Sequence, residues 1–253
     1  MSAELVPGNL GDSFSKYFEV VPALDEAVKR EAFFVRHEVY CKDLHFEAER
    51  DTRQETDPYD AQSMHCVLRT RGENARPVGC VRLIRTNPEN PAAPLPFEKH
   101  CKDTLDRTII DPATLPRASV AEVSRLAVIS DFRRRKDEQD KPVSISDDDF
   151  RSNGPASRFP FIPVSLYLAC VAISLRENLN HVFVLTEPRL AMHFARIGFD
   201  IRQVGGGIEH RGLRVPSYLR PDKIAQEMKP MMRPLYDVVR TSIDRAFEAT
   251  AKR

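Results

Sequence analysis

Apolar residues follow two spacings along this chain, and the alternation between them predicts the elements. From Leu24 to Tyr40 they recur at Leu24, Val28, Ala32, Val35 and Val39, a helical period, with Asp25 and Glu26 at the helix start. Ser63 to Arg69 and Val78 to Thr86 alternate as strands around the turn Arg71-Gly72-Glu73-Asn74, which predicts an antiparallel hairpin. Asn87 to Pro116 is rich in proline and predicts only a short helix between Phe97 and Leu105. Val120 to Ile129 reads as a central strand. Pro163 to Glu177 is a continuous apolar helix with proline at its start, His181 to Leu185 a buried strand, and Pro188 to Ile197 a helix stopped by Gly198. Phe199 to Val204 and Leu213 to Leu219, around Gly205-Gly206-Gly207, complete the sheet. Leu235, Val238, Val239, Ile243 and Phe247 mark a last amphipathic helix. The expectation is an αβ domain over 1–220, with 133–158 as a polar insertion and 221–253 as a helical extension.

Ionisable residues interrupt the strands. Arg82 sits within Val78-Gly79-Cys80-Val81-Arg82-Leu83-Ile84, and Glu122 and Arg125 within Val120-Ala121-Glu122-Val123-Ser124-Arg125-Leu126-Ala127-Val128. An acidic run, Glu55-Thr56-Asp57-Pro58-Tyr59-Asp60, precedes them. Charge in a buried strand is costly unless paired, so acids and arginines from separate strands predict a buried charged cluster, the usual setting of a site. Structural readings stand beside this one. Glu122 and Arg125 fit an ion pair tying strand to helix, and Asp57 and Asp60, around Pro58, fit turn or helix-capping acids.

Composition adds exclusions. A net charge of +1 with 30% charged residues gives no general attraction to nucleic acid or membrane. The odd set of Cys41, Cys66, Cys80, Cys101 and Cys170 has no CxxC pair, which reads as reduced thiols in a cytoplasmic protein. Met1 to Leu5 has neither a basic nor an apolar signal segment, and no stretch has the length of a transmembrane helix. The histidines lack ligand spacing, so no metal site is expected.

The element order resembles that of the GNAT acyltransferase fold, with Pro188 to Phe199 similar to its late helix and following strand. The polar constellation resembles one branch of that fold, the acyl-homoserine-lactone synthases and N-acyl amino acid synthases. That branch shows an arginine in the first helix, an aromatic residue four further on and another six beyond, here Arg36, Tyr40 and Phe46. Two acids separated by two residues follow, here Asp57 and Asp60, then a strand arginine, here Arg82. A Glu-x-Ser-Arg-x-x-Val strand is matched by Glu122 to Val128. The similarity runs from Phe33 to about Pro221, and the nearest subgroup is the acyltransferase associated with PEP-CTERM/exosortase systems. The chain departs from the pattern in three places. Phe46 stands where lactone synthases carry tryptophan. Phe132-Arg133-Arg134-Arg135-Lys136 replaces the glycine-rich phosphate loop, and Phe194 replaces a tyrosine that protonates the leaving thiolate.

The resemblance implies a mixed, mostly antiparallel sheet flanked by helices, and transfer of a fatty-acyl chain from a thioester to the amine of a small acceptor, an amino acid. Glu122 and Arg125 are the expected catalytic residues. Arg36, Tyr40, Phe46, Asp57, Asp60, Arg82 and Ser124 are the expected acceptor site, the acids holding an ammonium group and an arginine a carboxylate. The backbone near Leu126 and Val128 would hold the oxyanion. Without phosphate-loop glycines, acyl-phosphopantetheine on acyl carrier protein is the expected donor in place of acyl-CoA, with Arg133, Arg134 and Arg135 steering that acidic partner. A basic run of this kind also fits a solvated loop. No bound cofactor is expected. Two rivals fit the same residues: an autoinducer synthase using S-adenosylmethionine, and a non-catalytic GNAT-fold module that binds an acyl thioester or a partner.

Overall fold

The computed structural model describes residues 9–133, 142 and 159–252. A twisted sheet is built in the order β1-β2-β3-β4-β5-β8-β6 from β1 (Phe18–Pro22), β2 (Ser63–Thr70), β3 (Pro77–Arg85), β4 (Val120–Val128), β5 (His181–Thr186), β8 (Leu213–Leu219) and β6 (Ile201–Gln203). A two-residue strand, β7 (Ile208–Glu209), pairs with β8. Every pairing is antiparallel except that of β4 with β5. The fold is therefore the mixed, mostly antiparallel one the sequence suggests.

Side-chain alternation sorts the two faces. Val67, Cys80 and Ala127 point to one side and meet Val28, Ala32, Val35 and Val39 of α2 (Glu26–Arg36) and its continuation. Cys66, Leu68, Val81, Leu83, Ala121 and Val123 point to the other side. There they meet α4 (Phe161–Arg176) and α7 (Arg233–Ala251). Helix α4 is apolar all round because it is sandwiched between the sheet and α7. Leu235, Val239 and Ile243 of α7 are fully buried in this same core, so α7 packs as part of the body. Among the described residues no helix is long and apolar enough to cross a membrane.

Several boundaries differ from the sequence reading. Asp25 caps α2 by accepting from the Val28 N–H at 2.9 Å, so the α-helix opens at Glu26. After Arg36 the helix widens into a π-helix, His37–Asp43. The short helix of the proline-rich stretch is α3 (Pro96–His100). Strand β6 shrinks to three residues. Helix α5 (Pro188–Arg196) does end before Gly198, whose φ of +99° suits a residue without Cβ. The pattern also misses α1 (Leu10–Tyr17), β1 and α6 (Pro221–Glu227). The 134–141 and 143–158 parts of the expected insertion lie outside the described residues.

Two features of β4 shape the site. Its parallel pairing with β5 runs from Val120↔His181 to Val123↔Val184 and stops there, while β5 continues beside β8 as far as Thr186. Against β3, the register passes from Arg82↔Ser124 to Cys80↔Ala127. Two steps on β3 thus match three on β4, a β-bulge at Arg125 and Leu126. Arg125 takes φ +53°, unusual for a residue with a side chain. Core-facing positions shift parity across it, from Ala121 and Val123 to Leu126 and Val128.

Gly79 lets α4 approach the sheet beneath this bulge, since a Cβ there would lie 2.9 Å from Ile162 Cγ2 and 3.1 Å from Leu166 Cδ1. Gly79→Val is expected to destabilise the protein by about 1–3 kcal/mol through overpacking. Urea denaturation followed by circular dichroism measures it, and an unchanged midpoint would show that α4 yields at no cost.

Candidate active site

Six charged side chains meet between α2, the bulged β4 and the 3₁₀ turn Pro58–Gln62. Arg36, fully buried on α2, donates to Glu55 and, at 2.7 Å, to Asp60. Arg82, buried in the middle of β3, donates to Asp57 at 2.6 Å, Asp60 at 2.7 Å and the Ser124 hydroxyl at 3.0 Å. Arg125 reaches Glu55 at 3.3 Å and Asp57 at 3.1 Å. Three arginines thus meet three acids, and each acid serves at least two arginines. That closure is what makes so much buried charge tolerable.

Asp57 and Asp60 also build the turn. Asp57 accepts from the Tyr59 N–H at 2.9 Å and Asp60 from the Asp57 N–H at 2.7 Å. The capping reading and the charged-cluster reading therefore both hold. Burial alone would raise Asp60, but Arg36, the Asp57 N–H and Arg82 bring it down to about 2. Glu55 is lowered likewise: burial works against ionisation, and Arg36 and Arg125 outweigh it. His65, beside Asp60 at 3.6 Å, is pushed down to about 4 by burial and stays neutral at pH 7.

The π-helix carries the aromatic side of the site. Its wider turn places Tyr40 so that its hydroxyl donates to the Leu126 carbonyl at 2.9 Å, at the bulge. Phe46 stacks on Tyr40 with ring centroids 6.5 Å apart. The Arg125 guanidinium lies 5.5 Å over the Tyr40 ring.

Glu122 stands apart from the network. One of its oxygens accepts from the Phe97 N–H at 2.9 Å, at the start of α3. Burial pushes its carboxyl up to about 8, against the Phe97 hydrogen bond and the charge of Arg82. Neighbours on one strand thus differ in state, Arg125 always charged and Glu122 largely protonated at pH 7.

Where β4 parts from β5 a cavity of about 170 Å³ opens, walled by Glu122 to Leu126 on one side and Val184 to Thr186 on the other. Tyr40 and Phe46 close one end, while Tyr167 of α4 and the hairpin residues His210, Arg211 and Arg214 also face it. A second, apolar pocket shares Val123 and Tyr167 with the first and runs between α4 and the sheet, past Cys170, Val171 and Val182.

The expected site residues divide. Tyr40, Phe46, Arg82, Glu122, Ser124, Arg125 and Leu126 line the cavity. Arg36, Asp57 and Asp60 lie behind that wall, with their charges satisfied by one another and by Arg82 and Arg125. Asp57 and Asp60 are therefore not poised to hold an ammonium group. The Val128 N–H donates to the Pro142 carbonyl at 3.0 Å, so it is not an oxyanion donor. Arg133 is buried and paired with Asp43, which removes it from any docking surface. Arg134 and Arg135 lie outside the described residues. The sequence placed Glu55 in the acidic run without a role and gave no sign of Glu47, His210, Arg211 or Arg214, whereas Tyr167 lies within the apolar helix from Pro163 that the pattern reads as a wall for an acyl chain. Glu47 adjoins Phe46, but nothing near His210, Arg211 and Arg214 in sequence signals a site; only folding of the β7–β8 hairpin over the loop at Phe46 brings those three in.

Comparison with known proteins agrees with this fold. Residues 35–139 match the family model of the acetyltransferase (GNAT) domain. Among solved structures, TofI in a ternary complex with an inhibitor and MTA is similar at 19% identity and a TM-score of 0.56, over 86% of this chain and 96% of that one. BjaI, a CoA-dependent acyl-homoserine lactone synthase solved with SAM and isopentyl-CoA, is similar at 17% identity and a TM-score of 0.56, over 88% and 89%. FeeM, an N-acyl amino acid synthase from uncultured soil microbes, is similar at 12% identity and a TM-score of 0.53, over 85% and 97%. No curated protein sequence shows significant similarity. The chain has the GNAT fold, in the form shared with these synthases.

Asp60→Asn is expected to cost about 3–5 kcal/mol, because it leaves the buried charges of Arg36 and Arg82 one carboxylate short. The wild-type contribution of Asp60 is present above the ordinary carboxylate range and is lost as the pH falls towards about 2. Denaturation series at pH 7 and pH 3 should show a smaller gap between variant and wild type at the lower pH. Equal gaps would place the loss elsewhere.

Proposed function

We propose that this protein is an N-acyltransferase that moves a fatty-acyl chain from the thioester of acyl carrier protein to the amine of an amino acid. The observation carrying this reading is the cavity at the β4–β5 parting, with the buried carboxyl of Glu122 on its wall. The acceptor nitrogen attacks the thioester carbonyl carbon, the carbon–sulfur bond breaks with the phosphopantetheine sulfur leaving as a thiolate, and the proton lost by the nitrogen passes to Glu122 and from it to that thiolate. A carboxyl with a pKa near 8 suits that step, since its conjugate base is stronger than an ordinary carboxylate. The Phe97 N–H fixes one oxygen of Glu122 and so aims the carboxylate. Arg125, anchored by Glu55 and Asp57, supplies fixed positive charge beside the carbonyl as it becomes an oxyanion. An acyl chain laid past Val123 and Tyr167 along α4 requires the apolar space there, about 10 Å³ before the chain enters, to widen.

Acyl carrier protein is preferred over coenzyme A because the segment after β4 offers a 3₁₀ turn, Ser130–Phe132, and no glycine cradle for a pyrophosphate. A lactone synthase is the nearest rival, since BjaI has the same fold. Phe46 in place of tryptophan favours the amino-acid acceptor. To test the reading, purified protein is incubated with long-chain acyl carrier protein or acyl-CoA, and with amino acids or S-adenosylmethionine, and the products are analysed by mass spectrometry. N-acyl amino acid from the carrier-protein donor is the expected product. Lactone alone would promote the rival, and no product from any combination would leave the fold as a binding module.

Glu122→Gln is expected to lower kcat about 10²–10⁴-fold. In the wild type, kcat/KM should climb as the pH rises through about 8, because the base acts only when ionised. Stability should move the other way. The folded chain binds more protons at Glu122 than the unfolded one between the ordinary carboxylate range and about 8, so this contribution is lost as the pH rises through about 8. Thermal melts from pH 5 to 9 should therefore decline less steeply for Glu122→Gln, and parallel melts together with near-native turnover would remove Glu122 from catalysis.

A further inference from the structure

Arg211 is a cavity residue that the catalytic reading leaves unused, and its surroundings are specific. It stands in the turn before β8 with φ +55°, on the opposite side of the site from the π-helix in sequence. Its guanidinium donates to the Phe46 carbonyl at 3.2 Å and to Glu47 Oε1 at 2.6 Å, and lies 5.2 Å over the Phe46 ring. The same Glu47 oxygen is 3.6 Å from Arg125 Nη2. Two guanidiniums, each laid over an aromatic ring, therefore share one carboxylate beside the cavity.

The two arginines are held independently of that carboxylate. Arg125 is fixed by Glu55 and Asp57, and Arg211 keeps the Phe46 carbonyl and ring. Glu47 is not held in the same way. It lies in the loop after the π-helix, and its side chain is 29% exposed, whereas that of Glu55 is 1% exposed. Glu47 can turn out to water without stranding its charge, and Glu55 cannot. The remaining cavity arginines have fixed partners: Arg82 has Asp57, Asp60 and Ser124, and Arg214 has Glu187 at 2.7 Å.

We propose that Arg211 receives the carboxylate of the acceptor, and that the Glu47 carboxylate holds that place until the acceptor displaces it. This rests on the reading of the acceptor as an amino acid. The acceptor's amine then faces Glu122 on the same cavity wall, and its two charged ends fix which atom meets the thioester. Arg211 is thus a specificity residue: it selects amines that carry a carboxylate.

The test compares acceptors that differ only in that group, leucine against isoamylamine and tyrosine against tyramine, with a long-chain acyl carrier protein as donor. The wild type should prefer the amino acid of each pair. In Arg211→Met that preference, as a ratio of kcat/KM values, should fall about tenfold or more, the range for a charged hydrogen bond. Arg211→Lys should recover part of it. Glu47→Gln, which removes the competing charge, should lower the KM for the amino acid, an outcome that a purely structural Arg211–Glu47 bridge does not produce. A wild type indifferent to the carboxylate, an Arg211→Met variant that loses both acceptors in proportion, or a Glu47→Gln variant with raised KM overturns the proposal. Transfer to no amine at all by the wild type overturns the functional reading itself.

Discussion

The buried network of Arg36, Arg82 and Arg125 with Glu55, Asp57 and Asp60 is the constraint on which the site depends. Each of these charges would be costly alone in the interior, and the set persists because it closes on itself. The closure ties four segments together: α2, the acidic turn, β3 and the bulge of β4. Replacing one member leaves its partners uncompensated, so the network behaves as a unit. Its members lie mostly behind the cavity wall, where they hold that wall in shape.

Strand β4 turns this anchoring into chemistry. Along a regular strand, neighbours face opposite ways, so Glu122 and Arg125 would lie on different faces of the sheet. The extra residue at the bulge and the positive φ of Arg125 break the alternation, and five consecutive residues, Glu122 to Leu126, reach one cavity. The same stretch is where β4 leaves β5, so the bulge lies beside the opening it serves. Burial then separates the two ionisable groups. Arg125 keeps its charge among acids, while Glu122, with the Phe97 N–H as its hydrogen-bond donor, is pushed up to about 8.

The π-helix matters for a related reason. A regular α-helix through Tyr40 would turn its side chain by a different angle relative to Arg36, and the two have separate tasks. Arg36 enters the charged network, and Tyr40 reaches the Leu126 carbonyl. One helix thereby supplies an ion-pair anchor to the acidic turn and an aromatic wall beside β4.

Much of this was legible in the sequence, because periodicity reports burial directly. The helix at Val28 to Val39, the hairpin of β2 and β3, the central strand and the apolar α4 all follow from it, and charges inside strands pointed to Arg82, Glu122 and Arg125. Even the bulge is written in the shift from Ala121 and Val123 to Leu126 and Val128, though a strand pattern alone does not separate a bulge from a change of neighbours. Pairing is another matter. Nothing local says that Asp57 and Asp60 are already held by Arg82 and Arg36, that Arg133 turns inward to Asp43, or that Arg211, far along the chain from Phe46, lies over its ring. The sequence by itself determined which segments form and which of their faces are buried, since both depend on near neighbours. Only the tertiary structure decided which charges are spent on each other and which face the cavity, since that depends on distances between segments far apart in the chain.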